Sequence, residues 1–182
     1  ILIIERTLLN FLQHLSSIAS ETKKYVVKLK NSNTKLLDTR KTTCGLRYLE
    51  KYATKMGGAI NHRFGLFDEI LIKDNHIKAL GGIRNTLKIL LEKKINYKIE
   101  CDTLSQVRDC IAAGSTYILL DNMSPTQVKK IINCFGKKAE FEVSGGVNLK
   151  NITKYSKVGA NYISTSKITL CSKSVDISLD LI

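Results

Sequence analysis

Six short apolar runs, each separated from the next by a stretch of helical periodicity, dictate most of what this chain can fold into. The runs fall at 35–38, 69–73, 97–101, 116–120, 139–143 and 162–164. Between them the spacing predicts helices over 46–56, 83–94, 104–113, 125–134 and 149–158, with a long leading helix over 3–30. Punctuation supports these bounds: Gly57-Gly58 and Gly114 stand after predicted helix ends, and Ser124-Pro125 opens the helix at 125. Strands joined through helices are parallel, because a tight turn can only reverse the chain. About six βα units fit the length, fewer than the eight of a complete barrel. An open, incomplete barrel and a doubly wound sheet both satisfy the pattern. A final alternating stretch, 175–181, reads as a closing strand.

At 182 residues the chain is expected to form one α/β domain over 1–182. A chain of this size buries enough surface to need no disulfide staples. The five cysteines, Cys44, Cys101, Cys110, Cys134 and Cys171, are odd in number and form no CxxC pair, which argues against zinc and for a reducing cytoplasm. Ile1 to Ile4 are apolar, but Glu5 and Arg6 end the run far short of a membrane span, and no signal-peptide pattern follows. The start at Ile, inside an apolar pattern, leads us to expect a missing N-terminal piece.

Net charge is +13, carried by 29 basic residues against 16 acidic. They are scattered, mostly lysine, and there is no tryptophan, which disfavours a nucleic-acid surface. Small polyanionic substrates fit the scatter better. Arginine is used only six times, so its position is informative.

The chemistry concentrates where the strands end. The apolar runs are followed by Asp38-Thr39-Arg40-Lys41, Lys73-Asp74-Asn75-His76, Glu100-Cys101-Asp102, Asp121-Asn122, Ser144-Gly145-Gly146 and Ser164-Thr165-Ser166-Lys167. All strands of a parallel α/β fold point one way, so these groups gather on one face, where such folds build their sites. Helix caps account for Asp, Asn and Ser at such places, but not for Arg40, Lys41, Lys73 and Glu100. Arg40, Arg63, Lys41 and Lys73 form a cationic set suited to carboxylates and phosphates. Glu100 and Asp121 can hold ribose hydroxyls or a hydrated Mg²⁺. Ser144-Gly145-Gly146 can offer backbone N–H groups to a phosphate. His62 can bind an anion or serve a loop, His14 falls on an apolar helix face, and His76 can be a helix-cap neighbour.

Taken in order, the motifs resemble one family. Glu5-Arg6-Thr7-Leu8-Leu9-Asn10, Asp38-Thr39-Arg40-Lys41-Thr42, Asn61-His62-Arg63, Leu71-Ile72-Lys73-Asp74-Asn75-His76, Glu100-Cys101-Asp102, Leu120-Asp121-Asn122 and Glu142-Val143-Ser144-Gly145-Gly146-Val147 are similar to quinolinate phosphoribosyltransferase. That family is also called nicotinate-nucleotide pyrophosphorylase (carboxylating). The likeness spans about 4–181.

The resemblance implies an incomplete, TIM-like α/β barrel. It also implies transfer of phosphoribose from phosphoribosyl pyrophosphate to quinolinate, giving nicotinate mononucleotide, pyrophosphate and CO₂ for NAD biosynthesis. By the same likeness Arg40, His62, Arg63 and Lys73 hold the quinolinate carboxylates, and Arg6 does so from across a homodimer or higher homo-oligomer interface. Lys41 neutralises phosphoribosyl pyrophosphate. Glu100 and Asp121 bind ribose and Mg²⁺, while Ser144, Gly145, Gly146 and Ser166 cradle the 5′-phosphate. Three features depart from the pattern. The N-terminal domain that covers a partner's barrel is expected to be absent, Cys44 replaces a Pro, and Ser166 replaces a Gly of the second phosphate loop. Two alternatives stand beside the main reading: an inactive relic of that enzyme, or a barrel enzyme using Lys73 as a Schiff-base lysine.

Overall fold

A computed structural model describes residues 3–180. Its core is a six-stranded parallel sheet in the order β1-β6-β5-β4-β3-β2. The strands are β1 Lys35–Leu37, β2 Leu71–Ile72, β3 Lys98–Cys101, β4 Tyr117–Asp121, β5 Glu140–Ser144 and β6 Tyr162–Ser164. β1 and β2 form the two edges and do not pair. The sheet is therefore an open barrel, and among the described residues only a bridge from Leu37 to Ile60 extends it beyond β1. Of the two arrangements the periodicity allowed, the incomplete barrel is the one formed.

Strand alternation explains why the barrel has a dry shell and a polar interior. Ile99, Ile118, Phe141 and Ile163 are fully buried against the helices. Burying each contributes roughly 1.5–3 kcal/mol. Their neighbours face inward, and across the sheet Glu100, Leu119, Glu142 and Tyr162 share one register row. Asp121 and Ser144 share another, nearer the strand ends.

The helices are α1 Glu5–Leu29, α2 Arg47–Met56, α3 Asp74–Ala79, α4 Ile83–Glu92, α5 Leu104–Ala112, α6 Pro125–Phe135, α7 Ile152–Ser156 and α8 Lys167–Leu170. Capping boxes start two of them just behind the cleft. In α5 the Thr103 hydroxyl accepts from the Gln106 N–H at 3.3 Å, and the Gln106 side chain accepts from the Thr103 N–H at 3.0 Å. Ser124 and Gln127 repeat the arrangement in α6, with Pro125 at its first position. α1 and α2 approach closely because Gly57 has no side chain, since a Cβ there would collide with Ala19 and Thr22. His14 donates or accepts across the same contact, with Nε2 2.8 Å from Glu50 Oε1. Leu8, Phe11 and Leu12 stay exposed on the N-terminal part of α1.

Several expectations need correction. The leading helix begins at Glu5 rather than Ile3. β2 is only Leu71–Ile72, although the Ile70 carbonyl before it still accepts the Lys98 N–H at 2.8 Å. α3 and α8 are too short, with too few apolar positions, to show a helical period. α7 covers half of the expected 149–158. The closing strand does not form over 175–180, and Leu181 lies outside the described residues. That segment lies along α1, where Gln13 Nε2 donates to the Ile177 carbonyl at 3.1 Å, and meets no sheet edge. Among the described residues no helix is long and apolar enough to cross a membrane.

Candidate active site

Parallel strands deliver their C-terminal ends to one rim, and the loops there enclose a cleft of ≈ 570 Å³. Of the twelve residues the sequence nominates, eleven line it: Arg40, Lys41, His62, Arg63, Lys73, Glu100, Asp121, Ser144, Gly145, Gly146 and Ser166. Arg6 is exposed on the first turn of α1 and does not line the cleft of its own chain. Lys167, Asn122 and Glu142 also line it and were not given roles from sequence. Five Lys and Arg side chains thus face three carboxylates, which favours anionic ligands.

The cationic side is built on Asp38, the first residue after β1. Asp38 is fully buried and ion-paired with Lys51, which is 2 % exposed. Its other bonds come from Thr54 Oγ1 at 2.9 Å, Asn61 Nδ2 at 2.6 Å and the His62 backbone N–H at 2.7 Å. This one carboxylate therefore fixes the segment 61–63 beside β1 and carries His62 and Arg63 into the cleft. The Arg40 loop is clamped separately. Arg47 donates to the Arg40 carbonyl at 3.2 Å, and Thr169 Oγ1 donates to the Lys41 carbonyl at 2.8 Å. Arg40 Nε is buried without a hydrogen-bond partner. Burial, and then the charge of Arg40, lower the Arg63 pKa, so the two guanidinium groups press on each other. A dianion between them would relieve that repulsion.

Opposite stand Glu100, Asp102 and Asp121, each offering a carboxylate oxygen within 4.8 Å of the others. Lys73 Nζ donates to Glu100 Oε2 at 2.8 Å and joins the two sides. Burial, then the charge of Asp102, raise the Asp121 pKa, with Lys73 and Lys41 partly offsetting them. Asp102 was seen only as part of a motif; its place in the carboxylate group depends on the turn into α5. His76 serves the fold, its Nδ1 accepting the Lys73 backbone N–H at 3.0 Å.

The third wall is the loop after β5. Gly145 and Gly146 take φ +86 and +63, consecutive left-handed positions that turn backbone N–H groups toward a concavity. A side chain at Gly145 would strike Asn122, so the residue must be glycine on two counts. Thr165 Oγ1 donates to the Val147 carbonyl at 2.9 Å and ties this loop to the one after β6. Ser166 has φ −83, an ordinary conformation that does not call for glycine. Cys44 is exposed in a turn away from the cleft lining. A larger hollow of ≈ 1110 Å³ opens at the opposite strand ends, between Phe64, Phe67, Tyr97 and Tyr117, and shares only His62 and Arg63 with the cleft.

Fold and cleft together define an α/β-barrel protein built to seat anionic ligands between arginines, carboxylates and a glycine loop at its strand ends. The chain belongs to the quinolinate phosphoribosyl transferase family, whose C-terminal domain profile matches residues 18–180. It is 43% identical over 180 residues to the probable nicotinate-nucleotide pyrophosphorylase (carboxylating) of Bacillus subtilis, covering 97% of this chain and 62% of that protein. The Mycobacterium leprae nicotinate-nucleotide pyrophosphorylase (carboxylating) is 37% identical, with 97% and 64% covered. The crystal structure of nicotinate-nucleotide pyrophosphorylase from Ehrlichia chaffeensis superposes with a TM-score of 0.93 at 42% identity, covering 97% of this chain and 65% of that one. The chain spans about three-fifths of the length of the curated relatives it matches.

Proposed function

We propose that this chain transfers phosphoribose from phosphoribosyl pyrophosphate to quinolinate with loss of CO₂, forming nicotinate mononucleotide for NAD biosynthesis. The observation that carries the proposal is the pairing, within one cleft, of Arg40, Arg63 and Lys73 with the Glu100–Asp102–Asp121 group and the Gly145–Gly146 loop. The first set suits a pyridine dicarboxylate, the second a ribose, and the third a 5′-phosphate.

In this mechanism Arg40, Arg63 and Lys73 orient the quinolinate ring nitrogen toward the sugar, with His62 acting from behind Arg63, and the rate is gained chiefly through proximity. Lys41 neutralises the departing pyrophosphate. Glu100 and Asp121 hold the ribose hydroxyls and favour the cationic sugar as the C–O bond breaks. The ring nitrogen bonds to the anomeric carbon and becomes a pyridinium. That ring accepts the electron pair left as the neighbouring carboxylate departs as CO₂, and the ring carbon then takes a proton. Ser144, Gly145, Gly146 and Ser166 hold the 5′-phosphate throughout. The oxygen-only donors Glu100, Asp102 and Asp121 suit Mg²⁺, which when bound supplies positive charge at the pyrophosphate.

Arg6 reaches the cleft of a second copy in this reading. The exposed Leu8, Phe11 and Leu12 beside it on α1 support self-association into a homodimer or larger homo-oligomer. Five free cysteines fit a reducing compartment such as the cytoplasm. The Schiff-base alternative fits less well: the Lys73 side chain is 47% exposed and ion-paired with Glu100, whereas a Schiff-base lysine is desolvated. The test is release of CO₂ from quinolinate labelled in its 2-carboxylate, with and without phosphoribosyl pyrophosphate and Mg²⁺. Release that requires both substrates is expected; none under any condition refutes the activity and favours a relic.

A further inference from the structure

Glu142 has no part in the substrate contacts above, yet it is the most deeply placed charge in the cleft. It is fully buried on β5, in the same register row as Glu100 and Leu119. A carboxylate taken wholly out of water is destabilising unless its oxygens are hydrogen-bonded, and here Oε1 has no hydrogen-bond partner among the described residues. An apolar residue would pack at such a position without that penalty. The carboxylate must therefore be accounted for by what Oε2 does. Oε2 accepts the Tyr117 hydroxyl at 2.7 Å and lies 3.4 Å from His62 Nε2.

The other ring nitrogen of His62 fixes the meaning of that contact. His62 Nδ1 accepts the backbone N–H of Arg63 at 2.8 Å. A ring nitrogen that accepts carries no proton, so the ring proton sits on Nε2, 3.4 Å from Glu142 Oε2. The imidazole is 7% exposed and spent on protein at both nitrogens, which differs from the direct carboxylate contact expected of it. The chain of contacts then runs Glu142, His62, Arg63, from the barrel interior to the cleft wall. Arg63 is held at its far end as well, with Nη1 donating to the Glu69 carbonyl at 2.8 Å.

We propose that Glu142 is a positioning residue: its buried carboxylate holds His62 in the Nε2–H tautomer, so that Nδ1 seats the Arg63 backbone and sets the guanidinium for the pyridine dicarboxylate. The identity of that dicarboxylate rests on the function proposed above; the tautomer does not. Tyr117 supports the arrangement from below. Burial and the Glu142 charge push its phenol pKa well up, so it remains an O–H donor to Oε2. Burial raises the Glu142 carboxyl, but hydrogen bonds from His62, Ser164 and Tyr117 outweigh it and leave the pKa lowered.

The experiment is nitrogen-15 NMR of the imidazoles in the full chain, paired with quinolinate kinetics. The chain has three histidines, so loss of one set of signals in His62→Gln assigns the residue. The parent is expected to show His62 protonated on Nε2 with Nδ1 accepting. Glu142→Leu should lose that single tautomer and raise KM for quinolinate at least tenfold, with a smaller change in kcat. Glu142→Gln, whose carbonyl can still accept from Nε2–H, should restore the tautomer and most of the KM. A folded Glu142→Leu with the parental tautomer and KM overturns the proposal. Should that variant not fold, the parent still decides, since a His62 protonated on Nδ1 overturns it equally. The tautomer is read without substrate, so a parent that turns over no quinolinate counts against the function alone.

Discussion

Replacing Asp38 with Ala should be among the most damaging single changes in this protein, and for a reason that involves no substrate. Four donors converge on its carboxylate: Lys51, Thr54 Oγ1, Asn61 Nδ2 and the His62 N–H. Lys51 is only 2% exposed, and its ammonium has Asp38 as its ion-pair partner. Deleting one member of a buried pair costs about 3–5 kcal/mol, most of it from the stranded charge. For a chain of this size that corresponds to a fall in Tm of about 6–20 °C. The reciprocal change, Lys51→Met, should cost less, because Asp38 keeps three hydrogen bonds. The double variant Asp38→Ala with Lys51→Met should be less destabilised than the sum of the two single changes, since no unpaired charge remains. Urea unfolding followed by far-ultraviolet circular dichroism measures all three, the chain having no tryptophan. A loss below about 1 kcal/mol for Asp38→Ala would refute the reasoning, as would Lys51→Met proving the more harmful change.

Three further outcomes follow from the same geometry. Lys41→Ala should spare quinolinate binding and weaken phosphoribosyl pyrophosphate binding at least tenfold by calorimetry; equal loss of both would show the cleft is divided differently. Arg6→Ala and Arg40→Ala chains, each inactive alone, should regain part of the activity when mixed, and no recovery would count against a site shared between copies. Acid stability should report on Glu142. Burial raises its carboxyl, yet His62, Ser164 and Tyr117 carry it below the ordinary value. Its contribution is therefore fully present above the unfolded carboxylate pKa, about 4.3, and is lost as pH falls through the lowered folded value, where the unfolded chain binds more protons. Glu142→Gln should flatten that limb of the Tm-against-pH curve, and an unchanged limb would remove Glu142 from the account.

How far the site can be read from sequence depends on which side of a strand end a residue occupies. Arg40, Lys73, Glu100, Asp121 and Gly145 were visible because each follows an apolar run and breaks its pattern. Asp38 was visible too, as the polar residue closing the first run, but its role was not. The role needs Lys51, thirteen positions on, and Asn61 and His62 beyond it, brought together by helix α2 folding back over β1. Glu142 was harder still. Within Glu140–Ser144 it reads as one polar step of an ordinary alternating strand, on the side that commonly faces water.

Local sequence was sufficient for the strand order of events: alternating short strands and helices force parallel pairing, and parallel pairing sends every strand end, with its charges, to one rim. These are properties of neighbours in the chain, set by periodicity and turn chemistry. Tertiary structure decided that β1 and β2 are the edges between which the barrel stays open, and that the segment 175–180 lies along α1 instead of joining a sheet edge. It also decided which buried charges meet. Whether an inward carboxylate is hydrated, paired or stranded depends on residues 13 to 80 positions away, Lys51 for Asp38 and His62 for Glu142, and no local pattern encodes that distance.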